Sequence, residues 1–158
     1  MTDESTGLFY EEFSIGATYT TPARTISQSD VDTFSSISAD RNPIHHQPDA
    51  MAGHPFERPI VHGMLVVSTG VGLISALGLN HGTLVAMLEQ NIRYKKPVYV
   101  GDTVHAHMEV IDKRETSHPQ RGIVTYRFEI RNHASDVVVE GRNTNMVFRK
   151  TPNNTTER

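Results

Sequence analysis

Residues 38–50, SADRNPIHHQPDA, place an aspartate, an asparagine, a proline and two histidines in a segment with almost no apolar side chains. Pro43 disfavours helical angles at Asn42, so the segment turns or extends instead of continuing a helix. In a loop stiffened in this way, the Asp40 carboxylate and the His45 imidazole can face one point and hold one water molecule. Such a pair acts as general acid and base and contributes about 10²–10⁴-fold in rate. The same pattern also occurs by chance among ordinary polar residues of surface loops.

A second chemical feature lies in RPIVHGM, residues 58–64, at the start of an apolar helix. Gly63 falls in its first turn, where backbone N–H groups have no helical partner and the helix dipole is positive. An N–H at this point can stabilise a carbonyl oxygen that gains negative charge, an effect worth about 10²–10³-fold in rate. Close packing of the helix is the alternative reason for a glycine here.

The composition limits the possible partners and compartments. A chain of 158 residues with 37% apolar residues suits one domain with its own core. The 15 basic and 18 acidic residues give a net charge of −3 without a run of like charges, which argues against a nucleic-acid partner. The absence of cysteine fits a reducing compartment, and no export signal opens the chain. We therefore expect a cytoplasmic protein.

The most apolar stretch, residues 60–79, approaches the length of a membrane span. His62, Ser68, Thr69 and several glycines interrupt it, so we interpret it as a buried helix and expect no membrane partner. Its apolar residues go nearly all the way round the helix, which predicts that protein wraps it on most sides.

The surrounding elements predict an α+β fold. A Thr-rich stretch at 17–26 indicates an edge strand, because Pro22 has no N–H for a ladder. A helix capped by Ser27 or Ser29 follows and leads into the loop. Four strands are predicted after the apolar helix, in the segments 84–98, 103–112, 123–132 and 137–149, the last with a possible bulge at Gly141. Short links between them favour an antiparallel sheet, which must curl to bury one helix.

Two linked motifs resemble a known family. The segment DRNPIHHQPDAMA, followed by FERPIVHGM, resembles the MaoC-like, R-specific enoyl-CoA hydratases, whose D-x-N-P-[LIV]-H motif precedes a helix that opens with H-G-M. IRYKKPVYVGDTV is similar to the strand and turn that these proteins carry next. The resemblance covers residues 8–149 as one domain, with 1–7 and 150–158 expected to be disordered tails. The family often has glycine where this chain has Ala39.

The resemblance implies a hotdog fold, in which a long antiparallel sheet wraps one central helix. It also implies a homodimer or higher homo-oligomer that pairs through its sheets, with active sites at the subunit boundary. The implied reaction is reversible syn addition of water to a trans-2-enoyl-CoA, giving an (R)-3-hydroxyacyl-CoA. This chemistry moves only water and protons, so we expect no metal and no redox cofactor, and coenzyme A enters only as part of the substrate.

By motif position, the resemblance implies that Asp40 and His45 are the catalytic pair and that Asn42 supports their loop. It further implies that the Gly63 N–H is the oxyanion donor. Which member of the pair is base and which is acid stays open, because coupled groups share their protons.

Other residues have weaker interpretations. Ser68 could line an acyl pocket, although a helical serine more often bonds its own backbone. Gly70 and Gly72 either open room for an acyl chain or let a strand approach. Three cations could meet the phosphates of coenzyme A: Arg93, Lys95 and Lys96.

The remaining histidines are interpreted as structural. His46 is a loop residue, and His62 is a packing or hydrogen-bonding residue. His105 and His107 share one strand face and could bind a metal, but a solvated sheet face explains them better.

Two further functions stay open. A hotdog thioesterase shares the fold and the acyl-CoA substrate but aims water at the carbonyl carbon, and the intact D-x-N-P-x-H pattern argues against it. A non-catalytic acyl-CoA binding or assembly subunit is the third possibility.

Overall fold

The computed structural model describes residues 7–150. The two helices of these residues are α1 (Gln28–Ser38) and α2 (Gly63–Ser75). The strands are β1 (Thr18–Thr20), β2 (Arg24–Thr25), β3 (Leu84–Tyr94), β4 (Thr103–Glu115), β5 (Arg121–Asn132) and β6 (Val137–Phe148). Short 3-10 turns occur at Tyr10–Glu12, Pro43–His45 and Pro48–Met51.

The strands form one sheet of antiparallel pairs in the order β1, β4, β5, β6, β3, with β2 also paired to β4. Helix α2 packs on β4 and β5, and the main core lies between helix and sheet. The predicted α+β hotdog architecture is therefore confirmed. Strand β3 lies at one edge of the sheet, with one of its sides unpaired among the described residues.

The period-two patterns of β4 and β5 place their apolar residues in the core, as predicted. Alternate residues of both strands are at most 4% exposed: Val104, Ala106, Met108, Val110, Val124, Tyr126, Phe128 and Ile130. The opposite face of both strands carries polar and charged residues with more solvent exposure.

The predicted first strand is divided in two. Pro22 lies in the gap between β1 and β2, and both pieces pair with β4. Thr21 bridges part of the gap, because its N–H donates to the Ala106 carbonyl and its hydroxyl accepts the Ala106 N–H, both at 2.9 Å. A proline at this point interrupts the ladder without removing the segment from the sheet edge.

Helix α1 begins as predicted, with Ser27 as its N-cap. The Ser27 hydroxyl accepts the Asp30 N–H, and the Asp30 carboxylate accepts the Ser27 N–H. The hydrogen bonds that this carboxylate accepts from the Ser27 N–H and the Ser27 hydroxyl hold the pKa of Asp30 below its usual value. The capping box fixes the residue at which α1 starts. The polar loop follows directly after the other end of this helix.

Helix α2 is wrapped less completely than predicted. Five of its residues are buried: Val66, Val67, Thr69, Gly70 and Ile74. The opposite side forms a stripe exposed to solvent at Met64, Ser68, Gly72 and Ser75. The sheet of this chain covers one side of the helix only. No helix of the described residues is long and apolar enough to cross a membrane.

Two glycines within α2, Gly70 and Gly72, have different surroundings. A Cβ on Gly70 would lie 2.3 Å from Ile130 Cδ1, so this glycine lets β5 approach the helix. A Cβ on Gly72 would meet no atom within 4 Å.

Gly70→Ala is therefore expected to lower the free energy of unfolding by about 1–3 kcal/mol through overpacking. Ile130→Val removes the Cδ1 methyl and should restore part of this loss in the double variant, measured by urea denaturation. Gly72→Ala is the matched control and should raise stability by about 0.5–1 kcal/mol. Equal losses in the single and double variants would contradict the proposed contact.

The predicted bulge at Gly141 is wrong. Gly141 pairs regularly with Phe128 on β5 and Ile92 on β3. A Cβ there would lie 2.7 Å from the Phe128 ring and 2.4 Å from the Asn91 carbonyl oxygen. The glycine is required because a neighbouring aromatic ring and a backbone oxygen occupy its side-chain space.

The two residues described from the predicted tails are held in place. The Gly7 N–H donates to the His81 carbonyl at 2.7 Å, and the Lys150 N–H donates to the Glu11 carboxylate at 3.0 Å. The rest of the predicted tails, 1–6 and 151–158, lies outside the described residues.

Candidate active site

The polar loop is shaped by short side-chain to backbone hydrogen bonds. The Asp40 N–H donates to the Ser38 hydroxyl, and the Asn42 N–H donates to Asp40 Oδ1, both at 3.2 Å. Asn42 Oδ1 in turn accepts the Ile44 N–H at 3.2 Å, which starts the 3-10 turn that carries His45. Successive turns of this kind are what Asp, Asn and Ser stabilise outside helices. They bring Asp40 and His45 to the same end of the loop.

His45 is oriented by a backbone oxygen. Its Nδ1–H donates to the Ile60 carbonyl at 2.7 Å, and a carbonyl can only accept. In the neutral ring, Nε2 therefore carries the lone pair, and it lies 3.8 Å from Asp40 Oδ2. The His45 side chain is 9% exposed while that of Asp40 is 50% exposed. The pair has one sheltered member and one member open to solvent.

Gly63 is the first residue of α2, as predicted, and His62 is its N-cap. The His62 side chain makes no cap hydrogen bond. The first hydrogen bond of the helix runs from the Val66 N–H to the His62 carbonyl at 3.1 Å. The N–H groups of Gly63 and the next two residues have no partner within the helix, which leaves donors at its positive end.

A cavity of about 260 Å³ lies beside this helix start. Gly63 lines it, together with Ile60 and the ring of Tyr94. Asp40 and His45 are not among its lining residues, but Ile60 links them to it because its carbonyl holds the His45 ring. The polar loop therefore contacts one wall residue of this cavity, Ile60, and does not itself line it.

Tyr94 is a site residue that sequence reasoning missed. It ends β3, and its ring lies so close to Gly63 that a Cβ there would be 2.6 Å from Tyr94 Cε1. Its hydroxyl donates to the Met64 sulfur at 3.3 Å. Nothing in the local sequence marks this contact, because Tyr94 and Gly63 are far apart in the chain and only the fold brings them together.

His62 makes both packing and hydrogen-bonding contacts, in agreement with its predicted role. It is 2% exposed, and its ring stacks on that of His45 with centroids 3.7 Å apart and planes at 25°. His62 Nε2 lies 3.0 Å from the Asp40 carbonyl oxygen and 3.3 Å from the Ser35 hydroxyl. His46, predicted as a loop residue, places Nε2 2.7 Å from the same Ser35 hydroxyl.

Asp40, His45 and His62 hold metal-ligand atoms within 4.8 Å of one another. An imidazole binds a metal through a lone pair in the plane of its ring. Because the two rings are stacked, their lone pairs run side by side instead of converging on one ion. We interpret the group as two stacked rings beside a carboxylate, with His62 hydrogen-bonded to the Asp40 backbone.

The weaker predicted substrate contacts are divided between two surfaces. Lys95 and Lys96 line the cavity, although their ammonium groups also pair with Glu140 and Asp136. Arg93 lies on the outer face of the sheet, where it is 75% exposed and 3.6 Å from Glu140. The structure therefore does not bring Arg93 to the cavity.

Ser68 is also placed away from the cavity. It lies on the exposed stripe of α2, five residues beyond Gly63 and on the other side of the helix. His105 and His107 lie on the polar side of β4, where His107 Nδ1 is 3.0 Å from the Thr20 hydroxyl.

The residue before the motif aspartate has an unusual backbone. Ala39 adopts φ 60° and ψ 9°, the left-handed conformation that glycine adopts without strain. An alanine in place of the glycine that is common in the resembling family should therefore lower stability. Ala39→Gly should raise the free energy of unfolding by up to about 1 kcal/mol without changing catalysis, measured by chemical denaturation.

Ala52→Gly is the control for this change, because Ala52 has an ordinary φ of −59°. It should lower stability slightly by making the unfolded chain more flexible. The same sign of effect in both variants would contradict the assignment of strain to Ala39.

Comparison with known proteins identifies the family of this chain. The model of the MaoC like domain matches residues 12–130. The chain is 38% identical over 127 residues to the (R)-specific enoyl-CoA hydratase of Rhodospirillum rubrum, covering 79% of this chain and 82% of that enzyme. It is 33% identical over 122 residues to the mitochondrial 3-hydroxyacyl-[acyl-carrier-protein] dehydratase of Arabidopsis thaliana, covering 77% and 70%.

The fold comparison leads to the same group of proteins. The solved (R)-hydratase from A. caviae involved in PHA biosynthesis superposes with a TM-score of 0.71 at 31% identity. That superposition covers 85% of this chain and 96% of the solved one. With the family model matching most of its length, the chain belongs to the MaoC-like family of hydratases and dehydratases.

Proposed function

We propose that this protein is an (R)-specific enoyl-CoA hydratase/dehydratase, which reversibly adds water to a trans-2-enoyl-CoA to give an (R)-3-hydroxyacyl-CoA. The observation that carries the proposal is the 3.8 Å separation of Asp40 Oδ2 and His45 Nε2 near the start of α2. This distance is too long for a direct hydrogen bond, but one water oxygen can be within hydrogen-bond distance of both atoms.

The proposed roles follow from where charge develops. In hydration, the water oxygen bonds to C3, and the water proton passes to the Asp40 and His45 pair. The electrons of the double bond shift towards the thioester, so its oxygen gains negative charge and accepts a hydrogen bond from the Gly63 N–H. The pair returns a proton to C2 on the same face, and dehydration reverses each step.

The tautomer of His45 favours it as the first proton acceptor. Because Nδ1–H is committed to the Ile60 carbonyl, the free lone pair is on Nε2, the atom nearest Asp40. Asn42 supports these roles indirectly by holding the turn that contains His45. The reaction transfers no electrons to an acceptor, and we propose that it uses no metal or redox cofactor.

We propose coenzyme A as the carrier of the acyl group. Relatives of this chain are named for coenzyme A thioesters and for acyl-carrier-protein thioesters. Lys95 and Lys96 supply positive charge at the cavity wall, where phosphates could pair with them. The absence of cysteine fits the reducing cytoplasm as the place of action.

We also propose that two copies pair along β3. Apolar side chains on β3 and the neighbouring end of α2 are 42–51% exposed: Leu84, Met87, Leu88, Tyr94 and Met64. An unpaired strand edge beside an apolar patch favours association with another strand. Such pairing would place Tyr94, and with it the cavity, at the subunit boundary.

Sedimentation velocity tests this assembly. The wild-type protein should sediment as a dimer or a higher homo-oligomer, and Leu88→Lys should shift it towards the monomer. Ile37→Lys is the matched control, because Ile37 is 80% exposed on α1, away from β3. A monomeric wild-type protein, or equal behaviour of both variants, would contradict pairing through β3.

Turnover of crotonyl-CoA tests the proposed reaction. Loss of the enoyl absorbance, with (R)-3-hydroxybutyryl-CoA as the product on chiral analysis, is the expected result. Release of free coenzyme A thiol without hydration would indicate a thioesterase instead. Binding without turnover would indicate a non-catalytic acyl-CoA binding or assembly subunit. A parallel assay with crotonyl-[acyl-carrier-protein] compares the two carriers, and faster hydration of that substrate would overturn the choice of coenzyme A.

A further inference from the structure

His62 contacts both halves of the proposed site. Its ring stacks on His45, and its Nε2 lies 3.0 Å from the backbone carbonyl of Asp40. Its own peptide group carries the N–H of Gly63, because that amide joins the two residues. One residue is therefore in contact with the acid/base pair and covalently joined to the proposed oxyanion donor.

The protonation of His62 follows from its partners. The Asp40 carbonyl can only accept, so His62 Nε2 carries the proton and donates to it. The Ser35 hydroxyl lies 3.3 Å from the same nitrogen and 2.7 Å from His46 Nε2, so it connects both histidines to α1. His62 Nδ1 is buried and has no hydrogen-bond partner among the described residues.

Packing alone does not account for a histidine at this position. Burying an unpaired ring nitrogen is unfavourable, whereas a phenylalanine ring would fill a similar space without a polar atom. Phe34 already contacts the ring from another side, with centroids 5.1 Å apart, so the surroundings accept aromatic neighbours. What phenylalanine cannot supply is the hydrogen bond to the Asp40 carbonyl.

We propose that His62 is a positioning residue of the hydratase, holding the Asp40 backbone through Nε2–H and supporting the face of the His45 ring. This inference rests on the proposed function and deepens it. Because the Gly63 amide follows His62 directly, the contact also fixes the distance between the acid/base pair and the oxyanion donor. The ring is turned towards the loop and makes no cap hydrogen bond, which keeps the first amides of α2 available to a substrate.

Two substitutions separate the hydrogen bond from the ring. His62→Phe keeps an aromatic ring against His45 but removes the donor, and it should lower kcat for crotonyl-CoA about 10²-fold, as small misplacements of reacting groups do. KM should change less than about threefold, since substrate contacts are retained. His62→Gln places an amide donor near the Nε2 position. Because this donor can again hold the Asp40 carbonyl, kcat of His62→Gln should be about tenfold higher than that of His62→Phe. His133→Phe, at an exposed histidine in the β5–β6 turn, is the matched control and should leave kcat unchanged.

The outcomes distinguish this inference from the proposed function. If the wild-type protein does not hydrate enoyl thioesters, the proposed function fails. If it does, but His62→Phe matches wild type or His62→Gln is no better than His62→Phe, the positioning role is wrong. An increase in KM with an unchanged kcat would also contradict it, because a misplaced acid/base pair lowers kcat.

The wild-type protein offers a test that no folding defect can obscure. Nitrogen-15 NMR of histidine-labelled protein should show that the neutral ring of His62 carries its proton on Nε2 and the neutral ring of His45 carries its proton on Nδ1. Chemical shifts that place the His62 proton on Nδ1 would show that Nε2 does not donate to the Asp40 carbonyl, and this would overturn the inference.

Discussion

His45→Asn should lower kcat for hydration of crotonyl-CoA by about 10²–10⁴-fold while leaving the fold intact. The asparagine amide can occupy the place of Nδ1 and still donate to the Ile60 carbonyl, so the loop keeps its anchor. It has no atom at the position of Nε2, so the proton acceptor beside Asp40 is lost. Steady-state kinetics with circular dichroism as a check of folding measure the result.

His54→Asn is the control for this substitution. His54 belongs to the same connection between α1 and α2, and its Nδ1 accepts the Phe56 N–H, which an asparagine oxygen can also do. We expect its kcat to remain near that of wild type. Comparable losses in the two variants would mean that His45 acts through the structure of the connection and has no special role in proton transfer.

The second large effect is expected for Asp40→Asn, again a loss of about 10²–10⁴-fold in kcat. The amide oxygen can still accept the Asn42 N–H, so the turn should persist while the charge and the proton acceptor disappear. Since a catalyst does not alter the equilibrium, kcat/KM for hydration and kcat/KM for dehydration of (R)-3-hydroxybutyryl-CoA should fall by the same factor.

Asp49→Asn is the matched control, because Asp49 is an exposed aspartate nine residues further along the chain. Its activity should equal that of wild type. If Asp40→Asn retains more than about a tenth of the wild-type kcat, the carboxylate is not a member of the proton-transfer pair.

The features that could be predicted from the sequence are those decided by neighbours along the chain. Pro43 and Asn42 determine the turn, so the approach of Asp40 and His45 follows from a stretch of six residues. The position of Gly63 in the first turn of α2 follows from where the apolar run begins. The alternation of β4 and β5 likewise predicts their buried faces.

The features that were missed depend on residues far apart in sequence. The Ile60 carbonyl that orients His45 and the Tyr94 ring beside Gly63 come from other parts of the chain. Gly141 looked like a bulge because glycine is common there, whereas the ring of Phe128 on the next strand sets the requirement. The exposed stripe of α2 could not be anticipated, since hydrophobicity does not tell whether the same chain or another one covers a face.

The anchoring of His45 by a main-chain oxygen has a consequence for how this site can evolve. Every residue type has a carbonyl, so the side chain at position 60 can drift without altering which nitrogen of the imidazole is protonated. The adjoining amide of Val61 is bonded to the Val98 carbonyl at 2.8 Å, which ties this stretch of backbone to the segment between β3 and β4. The Ile60 N–H in turn donates to the Ile44 carbonyl at 3.0 Å. Mutational tolerance at the anchor should therefore be broad, with proline at position 60 or 61 as the exception, because it would remove one of these two amides.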